Sequence, residues 1–295
     1  MSNQKSDSYL LSFNYLPTSQ KSMNDVVVPL DVLAQSNNYG EFWIDDSAVS
    51  IEQCEEVTKI STLSHLVLIY HSKNFNITQL VDVVYSQAYQ ISQQLNYPHL
   101  LRTWNFFHDI NGHDNGLERY QAFCVARHEV LERYFQLQIP NPAATAIGSL
   151  NGDNCFVFLF SKQPGQVVEN QRQVPAWQYP LDYAPKQPRF SRAMLVDGML
   201  MCSGTASVVG HETVHVNDIK GQFIESLNNI EQLLLSCGYQ MDVNAGIYRY
   251  YLRNPAQAEI LETLIVEQGI ESFIILQGDI CRENLLLECE VVFQT

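Results

Sequence analysis

Positive charge is scarce in this sequence: 17 Lys and Arg stand against 32 Asp and Glu, a formal net charge of -15. That balance repels a polyanionic backbone and excludes a diffuse basic face for nucleic acid, so any bound anion must be held locally by a few converging arginines. Long apolar runs are also missing. None approaches the roughly 20 residues of a membrane span, and the opening MSNQKSDSYLLSF lacks the basic segment and apolar stretch of a secretory leader. The seven cysteines (Cys54, Cys124, Cys155, Cys202, Cys237, Cys281, Cys289) contain no CxxC pair and sit mostly among apolar neighbours. An odd, irregular set of this kind predicts reduced thiols in a cytoplasmic protein.

Several catalytic signatures are absent. There is no GxxxxGK[ST] for a nucleotide phosphate and no GxSxG nucleophile elbow. His211, Glu212 and His215 hint at a zinc motif, but VVGHETVHV has the wrong spacing for HExxH and alternates like a strand or turn. The expectation is no metal and no cofactor. His108, Asp109, His113 and Asp114 fall in a Gly-Asn loop, where turn and N-cap roles come first.

What is present is a 46% apolar chain, long enough for a large core, arranged in two similar passes. From about 64 to 160 the pattern runs strand (HLVLIY), amphipathic helix, strand (LLRTWNFF), helix (GLERYQAFCVARHEVLERYF) and two strands. From about 192 to 294 strands, helix, strand, helix and strands recur. A repeat of about 130 residues suggests two copies of one α+β unit, each a mixed sheet covered on one face by two helices. The expected divisions are 1–165 with an N-terminal extension of the first sheet, an ordered Pro- and aromatic-rich connection at 166–190, and 191–295. Asn217 or Asp218 suits the N-cap of the helix that ends before Gly238, and Pro255 suits the first turn of the next.

The final strand, CRENLLLECEVVF, puts Leu287, Cys289 and Val291 on one face and Glu288 and Glu290 on the other. On pattern alone this is equally a solvated sheet face or a site. Tyr120, Cys124 and Arg127 share one helix face, suited to a carboxylate if it meets a cleft, or to an Arg paired with Glu129 or Glu132 at the surface. Arg102 and Trp104 alternate onto one side of the preceding strand, which would aim a second guanidinium at the same space. In CSGTASVVGHET small residues allow close backbone approach, with Ser203, Thr205 and Thr213 as hydroxyl donors.

Six blocks, RTWNFFHDIN, ERYQAFCVAR, PAATAIG, YPLDYAPKQPRFSRA, SGTASVVGHET and GDICRENLLLECE, together resemble the chorismatase family in order over roughly 100 to 290. The resemblance implies two fused YjgF (RidA)-like, chorismate mutase-like units and an enzyme that protonates the enolpyruvyl methylene of chorismate and releases pyruvate. It assigns Glu288 as the acid, a role that burial and the like charge of Glu290 would favour by raising its pKa. By the same resemblance Arg102, Arg127, Arg192 and Arg282 bind carboxylates, Tyr120 and Tyr183 supply hydroxyls, and Ser203, Gly204 and Thr205 contact the substrate.

Within the family the residue before GD discriminates between products. Here it is Gln277, neither the Cys expected of the hydrolase type nor the small residue expected of the 3-hydroxybenzoate type, and Ala126 stands where Gly is usual. The expected product is 3- and/or 4-hydroxybenzoate. The alternatives are a hydrolase giving 3,4-dihydroxycyclohexa-1,5-dienoate, an enamine or imine deaminase, and a non-catalytic binder. The expected partner is the small molecule alone, with no nucleic acid and no membrane, and the expected assembly is a monomer or homotrimer.

Overall fold

Four helices form where apolar residues recur at helical spacing. In α1 (Ile77–Gln94) Ile77, Leu80, Val81, Val84, Tyr85, Ala88 and Tyr89 face inward, and Asn76 caps the first turn by accepting from the Gln79 N–H. Asp218 caps α3 (Ile219–Ser236), accepting from Gly221, and Gly238 follows it with φ +74°. Pro255 opens a short 3₁₀ turn that leads into α4 (Ala258–Gln268), which Gly269 ends in the left-handed region. The remaining helix, α2 (Arg119–Phe135), buries two arginines, Arg119 and Arg127, beside Phe123 and Val130.

The structure, a computed structural model, describes residues 9–15, 25–37, 39–40, 42–44, 48–54, 56–74, 76–114, 116–135, 139–149, 152–238 and 242–294. Residues 1–8, at the opening expected to lack a secretory leader, and residues 41, 45 and 46 of the N-terminal extension lie outside them. No helix among the described residues is long and apolar enough to cross a membrane.

Two large sheets carry the chain. In the first, Ala143–Ser149 runs parallel to His99–His108, which pairs antiparallel with Asn154–Ser161, followed by His65–Ser72, Val57–Ser61 and Ser50–Gln53. In the second, Leu287–Gln294 lies between Met199–Cys202 and Ile247–Leu252, and Ile247–Leu252 runs parallel to Ser272–Gln277. The N-terminal extension follows expectation in Ser50–Gln53 and Val57–Ser61, which extend the first sheet, and departs from it in Val32–Gln35, which pairs with Ser272–Gln277 and so joins the second sheet. Conversely, Asp279–Ile280 from the second pass pairs with Ala143–Ser149 in the first. Each sheet therefore borrows a strand from the other part of the chain.

The helices pack on the outer face of each sheet, α1 and α2 over one and α3 and α4 over the other. The two inner faces meet: Leu101, Trp104 and Phe106 pack in one core with Met201, Tyr251 and Ile274. The result is four layers, helices–sheet–sheet–helices, and it overturns the solvated-face reading of the last strand. Glu288 and Glu290 are each only 5% exposed, because the face that carries them is pressed against the opposite sheet.

Glu290 is the polar link across that interface. It pairs with Arg102 of the first sheet at 2.5 Å and with Arg249 of the second, and accepts from Trp104 Nε1 at 3.2 Å, Tyr251 Oη at 3.0 Å and Thr145 Oγ1. Burial pushes its carboxyl up, but the two guanidiniums and these hydrogen bonds outweigh burial and hold it below the usual carboxylate range. Removing one member of a buried, hydrogen-bonded ion pair strands the others at a cost of ~3–5 kcal/mol. Glu290→Ala is expected to lower the unfolding free energy by about that amount, read as a large drop in the urea midpoint.

Candidate active site

A cavity of about 560 Å³ opens between the halves. Its walls come from the loop before α2 (Asn111), the first turn of α2 (Tyr120), the ordered connection (Tyr179, Tyr183, Phe190) and the loop after Ser272–Gln277 (Cys281, Arg282), and Glu288 lies in its lining. The connection can serve as a wall because it is fixed: Ala176 is fully buried, Tyr179 and Ala184 are nearly so, and Arg192 Nη2 donates to Val174 O and Tyr179 Oη. A narrower recess of about 40 Å³ adjoins it, lined by Asn105, Phe123, Arg127 and Arg189, and shares Tyr120, Gly204, Cys281 and Glu288 with the larger space.

Glu288 is the group on which the chemistry turns. Its carboxyl is pushed up to about 8, first by burial and then by the charge of Glu290, against weaker opposition from Arg102, Arg192 and Arg282. Among the described residues none forms an ion pair or hydrogen bond with it. Gly204 packs directly against it, since a Cβ there would stand 2.0 Å from Glu288 Oε1, so a glycine is needed for this approach. Two neighbouring carboxylates on one strand thus divide: Glu290 is held charged by two arginines, and Glu288 is held neutral near pH 7.

Arginines gather on both sides of Glu288. In the recess, Arg127 is 3% exposed, its guanidinium lies 5.3 Å from the Tyr85 ring, and its Nε and Nη2 are buried without a hydrogen-bond partner. It pairs with neither Glu129 nor Glu132. Burial and the adjacent Arg127 charge depress the pKa of Arg189, as two guanidiniums lining one recess must. In the larger space, Arg192 keeps a buried Nε without a partner, and Arg282 lies 4.3 Å from the Tyr183 ring while donating from Nη1 to His211 O and Thr213 Oγ1. The Tyr183 hydroxyl shares a hydrogen bond with His211 Nδ1 at 3.0 Å.

Tyr120, Arg127, Tyr183, Arg192, Gly204, Arg282 and Glu288 thus come together around one space. Four expected members do not join them. Arg102 is committed to Glu290 and Thr145, so it acts from beneath the site. Ser203 Oγ donates to Ser191 O and accepts from the Ala144 N–H, and Thr205 Oγ1 donates to Ser203 O, so both hydroxyls are used in holding the backbone. The Gly204 N–H is likewise used, on Ala144 O. Gln277 lines neither space; its N–H bonds Asp31 O at the end of its strand. The nearby loop position that does face the cavity is Cys281, whose thiol is pushed up to about 12 by burial and by Glu288.

Cys281, Arg189, Tyr179 and Phe190 were missed as site residues. Their signal was present in the blocks GDICRE and YPLDYAPKQPRFSRA, but nothing in a proline-broken stretch tells which side chain turns inward. His215 lies 3.7 Å from Glu225, and no metal-binding group of His, Cys, Asp and Glu occurs among the described residues.

Residues 41–160 match the protein family described as Chorismatase FkbO/Hyg5-like, N-terminal. The 3-hydroxybenzoate synthase of Streptomyces hygroscopicus is 36% identical over 239 residues, covering 73% of this chain and 69% of that protein. The chain belongs to the chorismatase family. A chorismatase of Streptomyces rapamycinicus is 34% identical over 71% of this chain and 68% of its own length. A chorismatase crystal structure superposes with a TM-score of 0.84 at 25% identity, over 99% of this chain and 95% of that one, so the four-layer arrangement is the chorismatase fold.

The raised pKa of Glu288 also sets a slope of stability with pH. The folded chain keeps a proton up to about 8 that the unfolded chain releases near 4.5, so this contribution is complete below pH 4.5 and is lost as pH rises through 8. Glu288→Gln removes that slope. The variant is expected to gain stability relative to the parent between pH 5 and about 8.5, by at most ~1.4 kcal/mol per pH unit, as checked by urea unfolding across that range.

Proposed function

We propose that this chorismatase-family protein converts chorismate to pyruvate and a hydroxybenzoate, with Glu288 as the proton donor. The observation that carries the reading is the place of Glu288: a neutral carboxyl in the lining of both spaces, between Arg127 with Arg189 on one side and Arg192 with Arg282 on the other. Chorismate has two carboxylates, one on the ring and one on the enolpyruvyl group, and two arginine pairs offer a charged seat for each. Arg127, with unpaired buried donors, has the strongest electrostatic need of an anion.

In this reading the Glu288 proton passes to the terminal methylene carbon of the enol ether, leaving an oxocarbenium ion. The neighbouring ring hydroxyl of the substrate captures that ion and releases its proton back to Glu288, forming a bridged ketal. One ring C–O bond and the ketal bond to the other ring oxygen then break, pyruvate leaves with the first oxygen as its carbonyl, and the ring aromatises as the carbon that keeps its oxygen loses its hydrogen as a proton, which that oxygen takes up. Chorismic acid thereby divides into pyruvic acid and a hydroxybenzoic acid with no water added overall. Burial favours the step in two ways: it keeps the acid protonated, and it keeps water from competing for the cation. Glu290, one pleat away and clamped by Arg102 and Arg249, repels charge at Glu288 and so maintains the acid form.

The relatives named for 3-hydroxybenzoate synthesis and chorismatase activity support hydroxybenzoate as product. Seven free cysteines support a reducing, cytoplasmic setting.

Incubation with chorismate is expected to release pyruvate in a coupled dehydrogenase assay, with a hydroxybenzoate on chromatography. No pyruvate above background at micromolar enzyme would refute the reading. Glu288→Gln is expected to bind chorismate normally while kcat falls by ~10²–10⁴-fold, because an amide delivers no proton. Since the protonated carboxyl is the active form, kcat/KM for the parent is expected to be level below its pKa and to fall about tenfold per pH unit above about 8.

A further inference from the structure

The loop that brings Cys281 and Arg282 into the cavity has no regular structure beyond the two residues of Asp279–Ile280, yet its backbone carbonyls are tied down by hydrogen bonds. Its anchor is Arg253, just past the end of Ile247–Leu252. All five N–H bonds of this guanidinium are used: Nε donates to Leu285 O at 3.0 Å, and Nη1 to Asn111 Oδ1 at 3.1 Å and Asp279 Oδ1 at 2.8 Å. Nη2 donates to Ile280 O at 2.8 Å and Arg282 O at 3.1 Å. The Arg253 backbone N–H adds a bond to Leu286 O at 3.0 Å.

The loop is therefore wrapped around one side chain, with carbonyls on both sides of Cys281 pointed at the same planar cation. A guanidinium has five donors in a rigid fork and an ammonium only three on a flexible stem, so lysine cannot reproduce the arrangement. The clamp also crosses between the halves. Asn111, which lines the cavity, accepts from Arg253 and donates from Nδ2 to Glu118 Oε1, so the same cation fixes the orientation of an amide on the opposite wall.

We infer that Arg253 is a positioning residue for substrate binding: it sets the backbone at Arg282 so that this guanidinium meets a substrate carboxylate. The inference rests on the reading of the cavity as a chorismate site. Arg282 depends on such support, because in its side chain Nη1 alone bonds described protein groups, His211 O and Thr213 Oγ1, and its backbone carbonyl is held from two sides, by Arg253 Nη2 and by the Leu285 N–H at 3.0 Å, within the turn that Arg253 also ties down at Leu285 O. Arg253 itself is absent from the lining of both spaces, so its effect must pass through the loop.

The test is a double-mutant cycle read in steady-state kinetics with chorismate. Arg253→Lys is expected to raise KM about tenfold with kcat changed by less than about threefold, and to leave the alkaline limb of the pH profile in place. Arg282→Ala is expected to raise KM similarly, and adding Arg253→Lys to it is expected to raise KM no further. An unchanged KM in Arg253→Lys, or full additivity of the two effects, would overturn the inference. Asp279→Ala removes one arm of the clamp and keeps Arg253, so it carries the same test should Arg253→Lys not fold; its KM is expected to rise about threefold, and no rise again overturns the inference. Parent enzyme that releases no pyruvate refutes the chorismate reading instead, so the two failures are distinguishable.

Discussion

The buried carboxylate of Glu290 is the point on which the two halves of this molecule depend. It sits where two sheets meet face to face, and it is tolerable there because a guanidinium from each sheet, Arg102 and Arg249, neutralises it while Trp104, Tyr251 and Thr145 complete its hydrogen bonds. The same arrangement defines what the neighbouring position can be. With one pleat of the strand committed to a fixed negative charge, Glu288 faces both desolvation and repulsion and stays protonated. Structural anchoring and a carboxyl held in its protonated form are thus two consequences of one pair of carboxylates spaced two residues apart.

The acidic character of the chain fits this scheme. With 17 basic residues in 295, nearly every buried arginine has a discernible task. Arg102 and Arg249 hold Glu290, Arg253 holds the loop carrying Arg282, and Arg127, Arg189, Arg192 and Arg282 surround the cavity. An anionic substrate is then drawn by a local field inside a molecule of net negative charge, which favours a small dianion over a polyanion.

Periodicity made the four helices and the main strands legible, and capping residues such as Asn76, Asp218 and Gly269 are found where local chemistry requires them. What local pattern did not reveal was strand exchange. Val32–Gln35 and Asp279–Ile280 are short segments whose own residues would serve either sheet, and only the assembled edges decide which one accepts them. The role of Arg102 was inverted for a related reason. Alternation placed it on the inner face of its strand correctly, but an inner face holds both cavity and core, and the position of Glu290 on a strand nearly 190 residues away assigned Arg102 to the core. Ser203 and Thr205 likewise offer hydroxyls that the backbone of the inter-sheet junction consumes.

The sequence by itself determined the elements, the α+β plan and the family blocks, because these depend on residue type and spacing along the chain; the family resemblance, and not the alternation of the last strand, singled out Glu288 as the proposed acid. Only the tertiary structure decided that the polar face of the last strand is buried, that one glutamate is charged and its neighbour neutral, and that Gln277 stands outside the cavity while Cys281 lines it. The physical reason is that burial, ionisation and exposure to a cavity are set by what packs across an interface, and those partners come from strands and loops far apart in the chain.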